Sequence, residues 1–252
     1  MYPKITAVVC LAMLCLGCGQ ENNLAFDSLS FTERDLDLCQ DRQCPEVTIN
    51  YVEAQGDDAV SEKINRKIQH FIFASLLMGE DSIPTAKSLQ EAARGFVESY
   101  FNDKAQFPDM AGAYFAEISV NQLYASDEIL CFEMRQYLFT GGAHGYGTTS
   151  FLNINPQTGS ELGFDDLFRN KSEFLFFAER KFRNQQNIPA TQSINDTGFW
   201  FEDDSFSLPE SVGVTQDSLI FVYNQYDIAS YADGPIELRI ARSDAQPYLR
   251  ID

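Results

Sequence analysis

The sequence predicts an α+β fold made of antiparallel sheets with helices packed on one face, in two closely associated halves. Residues 47–51 alternate between apolar and polar, which is typical of a half-buried strand. Apolar residues in 60–76 and 89–101 recur at helical spacing instead. A glycine-rich stretch at 140–147 follows and leads into a second, aromatic-rich half. Covering one face of a sheet with helices is the simplest way to bury the apolar sides of both.

The two helices of the first half have recognisable ends. Asp57 and Asp58 are candidate N-caps for the first, whose apolar stripe stops before Gly79. Thr85 is the candidate N-cap of the second, and Pro108 lies beyond its end. Both stripes indicate core packing.

The strands of the first half surround these helices. Apolar residues in 29–38 indicate strand-like material before 47–51, and two long alternating stretches, 114–120 and 130–139, follow the helices. In 130–139, Glu133 and Arg135 share one face, which predicts that this face is partly wet or internally paired.

The second half is also predicted to combine helices and strands. After a strand at 148–154 and a short helical turn at 162–168, Ser172 is the candidate N-cap of a helix that runs to about Gln186. Strands are predicted from Val212, at 219–223 and at 235–241.

Residues 1–18 have the pattern of a targeting segment. Lys4 supplies a positive charge, and the apolar run that follows is shorter than the ~20 residues that cross a bilayer. The sequence ending Leu-Gly-Cys18 resembles a bacterial lipobox, which implies diacylation of Cys18; an ordinary signal peptide is the alternative. The predicted organisation is a signal peptide at 1–17, a lipid-anchored tether at 18–28, and α+β domains at 29–146 and 147–252.

The charge balance restricts the choice of partner. The chain has 37 acidic and 18 basic residues, a formal net charge of −19. Nucleic-acid binding depends on neutralising phosphates, so that class is excluded, and cationic partners are favoured. The alternative is that the acidity serves solubility alone. Membrane contact is expected through the lipid anchor only.

Cysteine usage fits an oxidising compartment. Cys39 and Cys44 enclose a short loop in which a disulfide is predicted. A metal site is the alternative, but no histidine or further cysteine lies at ligand spacing, and no metal or other cofactor is predicted. Cys131 lies in an alternating strand and is predicted to be a small buried residue.

His144 is the best single candidate for chemistry, because a histidine in a glycine-flanked loop is accessible as a base or ligand. Asp165, Asp166 or Glu161 could assist it only if the fold brings them close. The chain has two histidines and no nucleophile elbow or His-x-x-x-His motif, so no catalytic residue is assigned. A structural loop histidine is the alternative, and a non-catalytic role is favoured while the enzyme question stays open.

A binding surface is predicted in the final third. Tyr226, Tyr231 and Trp200 are interleaved with acidic residues there, and exposed aromatic rings edged by carboxylates suit protein or sugar recognition. The alternative is that these rings face the core. The acidic run Glu202, Asp203 and Asp204 is assigned to this surface. The alternatives are that the run is a solvated turn or that it binds a hard cation. His144 is included as a binding residue.

Several motifs carry a family resemblance. The TGGAHG loop, the NPQTG turn, the GFDDLF segment and residues 219–240 resemble two bacterial domain-of-unknown-function families, 4163 (N-terminal) and 3298 (C-terminal), over residues 47–249. This pair resembles the extracellular part of lysozyme-sensing anti-sigma factors and the non-catalytic part of some peptidoglycan deacetylases.

The resemblance implies a lipid-anchored envelope binding protein that faces the periplasm or the exterior. The implied partner is a cationic, lysozyme-like protein or a cell-wall glycan. An envelope hydrolase or deacetylase-related enzyme using His144, and a structural lipoprotein without a soluble ligand, are the two alternatives.

Overall fold

A computed structural model of the chain describes residues 24–79, 83–110 and 112–251. The predicted signal peptide and the lipidation site Cys18 lie outside the described residues. The helices and strands, in chain order, are β1 (Phe26–Thr32), β2 (Glu46–Ala54), α1 (Ala59–Ser75), α2 (Leu89–Gln106), β3 (Phe115–Ala125), β4 (Leu130–Phe139), β5 (Tyr146–Ile154), α3 (Phe164–Leu167), α4 (Lys171–Gln185), β6 (Gly213–Val214), β7 (Ser218–Tyr223), β8 (Ile236–Ala241) and α5 (Arg242–Ala245). No helix within these ranges is both long and apolar enough to cross a membrane.

The predicted α+β class is confirmed, with two sheets. The first has the order β1-β2-β3-β4-β5, and the second is the antiparallel sheet β6-β7-β8. One pair departs from the predicted antiparallel pairing, because β2 and β3 run parallel. Their connection contains both α1 and α2, and parallel neighbours require a crossover of this kind.

Helix starts show where local signals compete. Asp58 caps α1 as predicted, accepting hydrogen bonds from the backbone N–H groups of Val60 and Ser61. The other two predicted caps are wrong. Ser88, not Thr85, caps α2, and Asn170, not Ser172, caps α4; each side chain accepts a bond from the N–H three residues later. Serine, threonine and asparagine all serve as caps, so spacing alone did not separate the neighbouring candidates.

The two sheets build two cores on opposite faces of β4 and β5. Leu130, Phe132 and Leu152 face α1 and α2, whereas Cys131 and Phe151 join the core of the second sheet. Side chains alternate along a strand, so one pair of strands contributes to both cores. Further out on β4, Arg135 pairs with Glu133 at 2.9 Å, as the sequence predicted.

The Cys131 thiol is buried, as predicted. Burial raises its pKa to about 12, and the nearby charge of Glu133 acts in the same direction. Its sulfur accepts a hydrogen bond from the Val214 N–H at 3.2 Å, which ties β4 to β6.

Side chains from the second sheet's half cover the free edge of β5. The Ser211 hydroxyl accepts from the Phe151 N–H at 3.1 Å, and Asn224 bonds both the N–H and the carbonyl of Thr149. An uncovered strand edge offers a template for unwanted pairing, so these side chains both close the edge and join the halves.

The junction is tightly packed beside that edge. Asn153 is buried and donates to the Val212 carbonyl at 2.8 Å. Next to it, a Cβ on Gly213 would lie 2.6 Å from the Phe151 ring, so only glycine allows this approach.

The sheet and the predicted domain boundaries do not coincide. β1 begins inside the predicted tether of residues 18–28, and β5 begins at the predicted boundary after residue 146. β5 nevertheless pairs with β4 along its length and so completes the first sheet.

The predicted disulfide between Cys39 and Cys44 is present. It closes a loop that packs on α2, where the Arg42 guanidinium lies 3.7 Å from the centre of the Phe101 ring. The loop therefore joins the start of the chain to the first core.

Replacing Cys39 and Cys44 together by serine is expected to lower the free energy of unfolding by about 2 kcal/mol. The estimate follows from the chain entropy of closing a loop of about six residues. Urea unfolding of both proteins measures it, and reduced wild-type protein should match the variant. Equal stability of variant and oxidised wild type would contradict the prediction.

Candidate functional site

The glycine-rich loop between β4 and β5 presents His144. Gly141 adopts φ +91°, which lets the chain reverse at the end of β4. Gly145 is buried beneath the Tyr137 ring, and a Cβ there would lie 2.4 Å from Tyr137 Cζ. The missing side chain of Gly145 lets the Tyr137 ring pack closely against the loop.

His144 is held by two tyrosines distant in sequence. Its ring stacks on Tyr231, with centroids 3.7 Å apart and planes inclined by 24°. Its Nδ1 lies 3.2 Å from the Gly145 carbonyl oxygen, and its Nε2 lies 3.4 Å from the Tyr226 hydroxyl. A carbonyl only accepts, so this arrangement favours a proton on Nδ1 and leaves Nε2 to accept from Tyr226.

The loop after β7 supplies both tyrosines. The Asp227 carboxylate accepts from the Asn224 N–H at 2.7 Å and folds the loop back. The Tyr231 hydroxyl donates to the Gly145 carbonyl at 3.0 Å, joining the two loops. Tyr226 has φ 72°, in the left-handed region, which costs a non-glycine residue about 1–2 kcal/mol. Such strain at an exposed side chain is the kind of outlier that accompanies binding sites.

We call the resulting surface the tyrosine–histidine patch; it consists of Tyr137, His144, Tyr146, Tyr226 and Tyr231. Tyr137, Tyr146 and Tyr226 are 41%, 40% and 50% exposed, which is high for large aromatic side chains. The predicted exposure of Tyr226 thus agrees with the structure, whereas Tyr231 is half-buried under His144.

Carboxylates lie at the edge of the patch. Asp227 and Asp233 are both exposed, and Asp233 accepts from the N–H and hydroxyl of Ser230. The pKa of Tyr146 is raised by burial first and by the charge of Asp227 second, so its phenol stays neutral at physiological pH. The patch is therefore a surface of aromatic rings with negative charge beside it.

Trp200 lies next to the loop that carries Tyr226 and Tyr231. The Trp200 N–H bonds the Ile228 carbonyl at 3.0 Å, so its backbone borders the same loop, and its side chain is 47% exposed. Within the described ranges, no ring stacking or hydrogen bond joins the Trp200 side chain to the patch.

Glu202, Asp203 and Asp204 form an exposed turn. Asp204 accepts from the Ser193 hydroxyl and from the Asn195 N–H, which gives it a structural part. Among the residues that the structure describes, no three His, Cys, Asp or Glu side chains converge as a metal site would require. The turn is therefore an exposed acidic segment of the surface.

The carboxylates considered as partners of His144 do not reach it. Glu161 pairs with Lys67 at 2.9 Å, and Asp166 accepts from the Gly163 N–H at 2.9 Å. In the part of the chain that is described, the ring nitrogens of His144 contact only the Gly145 carbonyl and the Tyr226 hydroxyl. The arrangement suits recognition through rings better than proton transfer.

Tyr137 and Tyr146 are patch residues that sequence reasoning did not select. Tyr146 stands between two glycines directly after His144, and Tyr137 lies on the β4 face that was predicted to be partly wet. These two positions in the sequence are the features that could have identified Tyr146 and Tyr137 as site residues.

Two protein-family models match separate regions of the chain. A family model described as "Protein of unknown function (DUF3298)" matches residues 165–243, and one described as "Deacetylase PdaC" matches residues 38–146. None of the curated proteins matches the chain.

Two crystal structures share the fold. A DUF3298 family member from Bacteroides fragilis superposes with a TM-score of 0.71 at 23% identity, covering 90% of this chain and 94% of its own. A DUF3298 family protein from Pseudomonas aeruginosa superposes with a TM-score of 0.63 at 19% identity, covering 92% of this chain and 97% of its own. The chain thus combines a region like that of the PdaC deacetylase model with a DUF3298 region, on the fold of the solved DUF3298 proteins.

Proposed function

We propose that this chain is a non-catalytic, lipid-anchored protein of the cell envelope that binds a cationic protein partner, such as a lysozyme-like enzyme, through the tyrosine–histidine patch. The observation that carries the proposal is the stack of His144 on Tyr231, beside the exposed Tyr226 and two carboxylates. The matched family regions support an envelope-associated protein. Lipidation at Cys18 rests on the sequence alone.

The patch is built in advance of binding. Stacking fixes the His144 and Tyr231 rings, the Tyr231 hydroxyl bonds Gly145, and the Tyr146 hydroxyl lies 3.4 Å from the Gln225 carbonyl. Rigid aromatic side chains lose little conformational entropy on binding, and preorganisation of this kind favours affinity.

The chemistry of the patch selects a cation. Lysine and arginine side chains interact favourably with the faces of tyrosine rings, and the carboxylates of Asp227 and Asp233 add a favourable charge at the edge. The net charge of −19 would also raise the association rate with a basic protein.

We assign no catalytic role to the chain. The model matched by residues 38–146 is named for a deacetylase, but the His144 nitrogens contact a carbonyl and a phenol rather than a carboxylate. A base without an orienting acidic partner is poorly placed for proton transfer.

The test is a titration of the protein with a basic lysozyme at low and at physiological salt. Wild-type protein is expected to bind saturably at both. Tyr226→Ala should weaken binding about tenfold or more, since exposed tyrosines near the centre of an interface carry much of its energy. Tyr226 is the residue to change because, among the residues that the structure describes, its hydroxyl contacts only His144, at 3.4 Å.

Two matched controls sharpen the titration. Phe176→Ala removes an aromatic ring that is 71% exposed on α4, outside the patch, and should change affinity less than twofold. Asp227→Asn should slow association more than Asp196→Asn, which removes the same charge from an exposed position elsewhere. Binding only at low salt, or equal loss in Phe176→Ala and Tyr226→Ala, would contradict a specific protein partner. If soluble cell-wall glycan binds and lysozyme does not, the partner proposed for the patch would be the glycan instead of a protein.

A further inference from the structure

A second surface, unrelated to the patch, is an open groove of about 840 Å³ along α1. It lies between the outer side of α1, the sheet and the turn at residues 155–161. Its lining is Lys63, Arg66, Lys67, His70, Phe71, Ala74, Met134, Leu152, Gly159, Ser160 and Glu161. Met134 and Tyr137 have opposite parity on β4, so these two side chains lie on opposite faces of that strand.

The basic residues of the groove form a stripe on one helical face. Lys63, Arg66, Lys67 and His70 follow the spacing i, i+3, i+4, i+7, which places their side chains together. Three of the chain's 18 lysines and arginines thus lie within about one turn, against one acidic residue, Glu161, in the lining. This local excess of positive charge is opposite to the charge of the whole chain.

The cationic end is held in place by the turn. The Lys63 ammonium donates to the Thr158 carbonyl at 2.9 Å, and Lys67 pairs with Glu161 at 2.9 Å. Gly159 has φ +66°, and a Cβ there would come within 3.1 Å of Lys63 Cβ, so glycine permits the close approach.

Arg66 is the cation most available to a ligand. Its partner Glu62 lies 3.4 Å away, and both side chains are more than half exposed. Exposed pairs of this kind contribute little, so a bound anion can compete for the guanidinium.

The far end of the groove is apolar. Phe71, Ala74, Met134 and Leu152 line it, and Leu152 is buried at its floor. A helix rises about 1.5 Å per residue, so the groove changes from basic to apolar over roughly 16 Å between Lys63 and Ala74.

We infer that this groove binds a single-chain carboxylate amphiphile, a fatty-acid-like molecule. Its carboxylate pairs with Arg66 and the neighbouring lysines, and its chain lies over Phe71, Ala74 and Leu152. The volume falls in the range of small-molecule sites. The inference does not depend on the proposed partner of the patch.

The test is calorimetric titration of the full chain with dodecanoate, hexanoate and dodecyltrimethylammonium, each below its micelle concentration. Dodecanoate should bind one to one and at least tenfold tighter than hexanoate, because each buried methylene adds up to about fourfold in affinity. The cationic amphiphile should bind at least tenfold more weakly, although the net charge of −19 favours it. Equal or tighter binding of the cation would overturn the inference.

Variants assign the binding to the groove. Arg66→Gln should weaken dodecanoate binding about fivefold or more, while Arg94→Gln, which removes the same charge from α2, should stay within twofold. Ala74→Gln places a polar side chain at the exposed apolar end and should reduce the gain from chain length. Arg66→Gln should leave lysozyme binding unchanged, which separates this result from that of the patch. Equal effects of Arg66→Gln and Arg94→Gln would refute the groove as the site.

Discussion

Replacing Phe182 by alanine is expected to lower the free energy of unfolding by about 3–5 kcal/mol, the range for deleting a fully buried phenylalanine. Phe182 lies on α4 with no exposed surface. Its ring centre lies 5.3–5.7 Å from those of four other aromatic residues, Phe199, Phe201, Phe206 and Tyr223. Because all four come from outside α4, the surrounding segments cannot close the cavity without moving together.

The control lies on the same helix. Phe176 is 71% exposed, so Phe176→Ala should change the free energy of unfolding by no more than about 0.5 kcal/mol. Urea unfolding followed by circular dichroism measures both variants. Similar losses in the two would mean that the second core is not centred on Phe182.

Changing Asn153 to aspartate is expected to lower the free energy of unfolding by about 2–4 kcal/mol at pH 7. Asn153 is 4% exposed and donates to the Val212 carbonyl at 2.8 Å. Its Oδ1 has no hydrogen-bond partner within the described residues. An ionised carboxylate would place an acceptor against the Val212 carbonyl and bury a charge between the two sheets.

The loss should depend on pH. Burial raises the pKa of a carboxyl group above its unfolded value of about 4. The deficit of Asn153→Asp should therefore be small below that pH, where a protonated carboxyl still donates to Val212, and grow as pH rises through the folded pKa. Asn102→Asp adds the same charge at an exposed position and should show little such dependence. A pH-independent loss would contradict this account.

The local elements were largely predictable from periodicity. The stripe from Val60 to Leu76 defined α1, because helical spacing and an aspartate cap coincide there. The caps of α2 and α4 were missed because Thr85 and Ser172, like the true caps Ser88 and Asn170, carry a side-chain oxygen that can accept from a backbone N–H. The parallel pairing of β2 with β3 is a property of the chain path, and no residue in either strand encodes it locally.

The candidate site was predictable in its members but not in its arrangement. His144 stood out by its glycines and Tyr226 and Tyr231 by their loop, yet more than eighty residues separate the histidine from its partners. Their stacking depends on the bonds of Asn224 to β5, which sequence alone does not reveal. Trp200 and the acids at 202–204 were grouped with them by composition, and within the described residues no ring stacking or side-chain hydrogen bond joins Trp200 to the patch.

The order of strands in the first sheet limits how this protein can be divided. The region matched by the deacetylase model, residues 38–146, contains β2, β3 and β4 but omits nearly all of the two outer strands. A fragment cut at those limits would present an open edge on each side of a three-stranded sheet, and open edges promote self-association. A fragment that keeps this sheet whole is therefore wider than the matched segment and includes β1 and β5. Since β5 is also bonded to Ser211 and Asn224 of the DUF3298 region, a cut between the two regions is expected to expose the edge of β5.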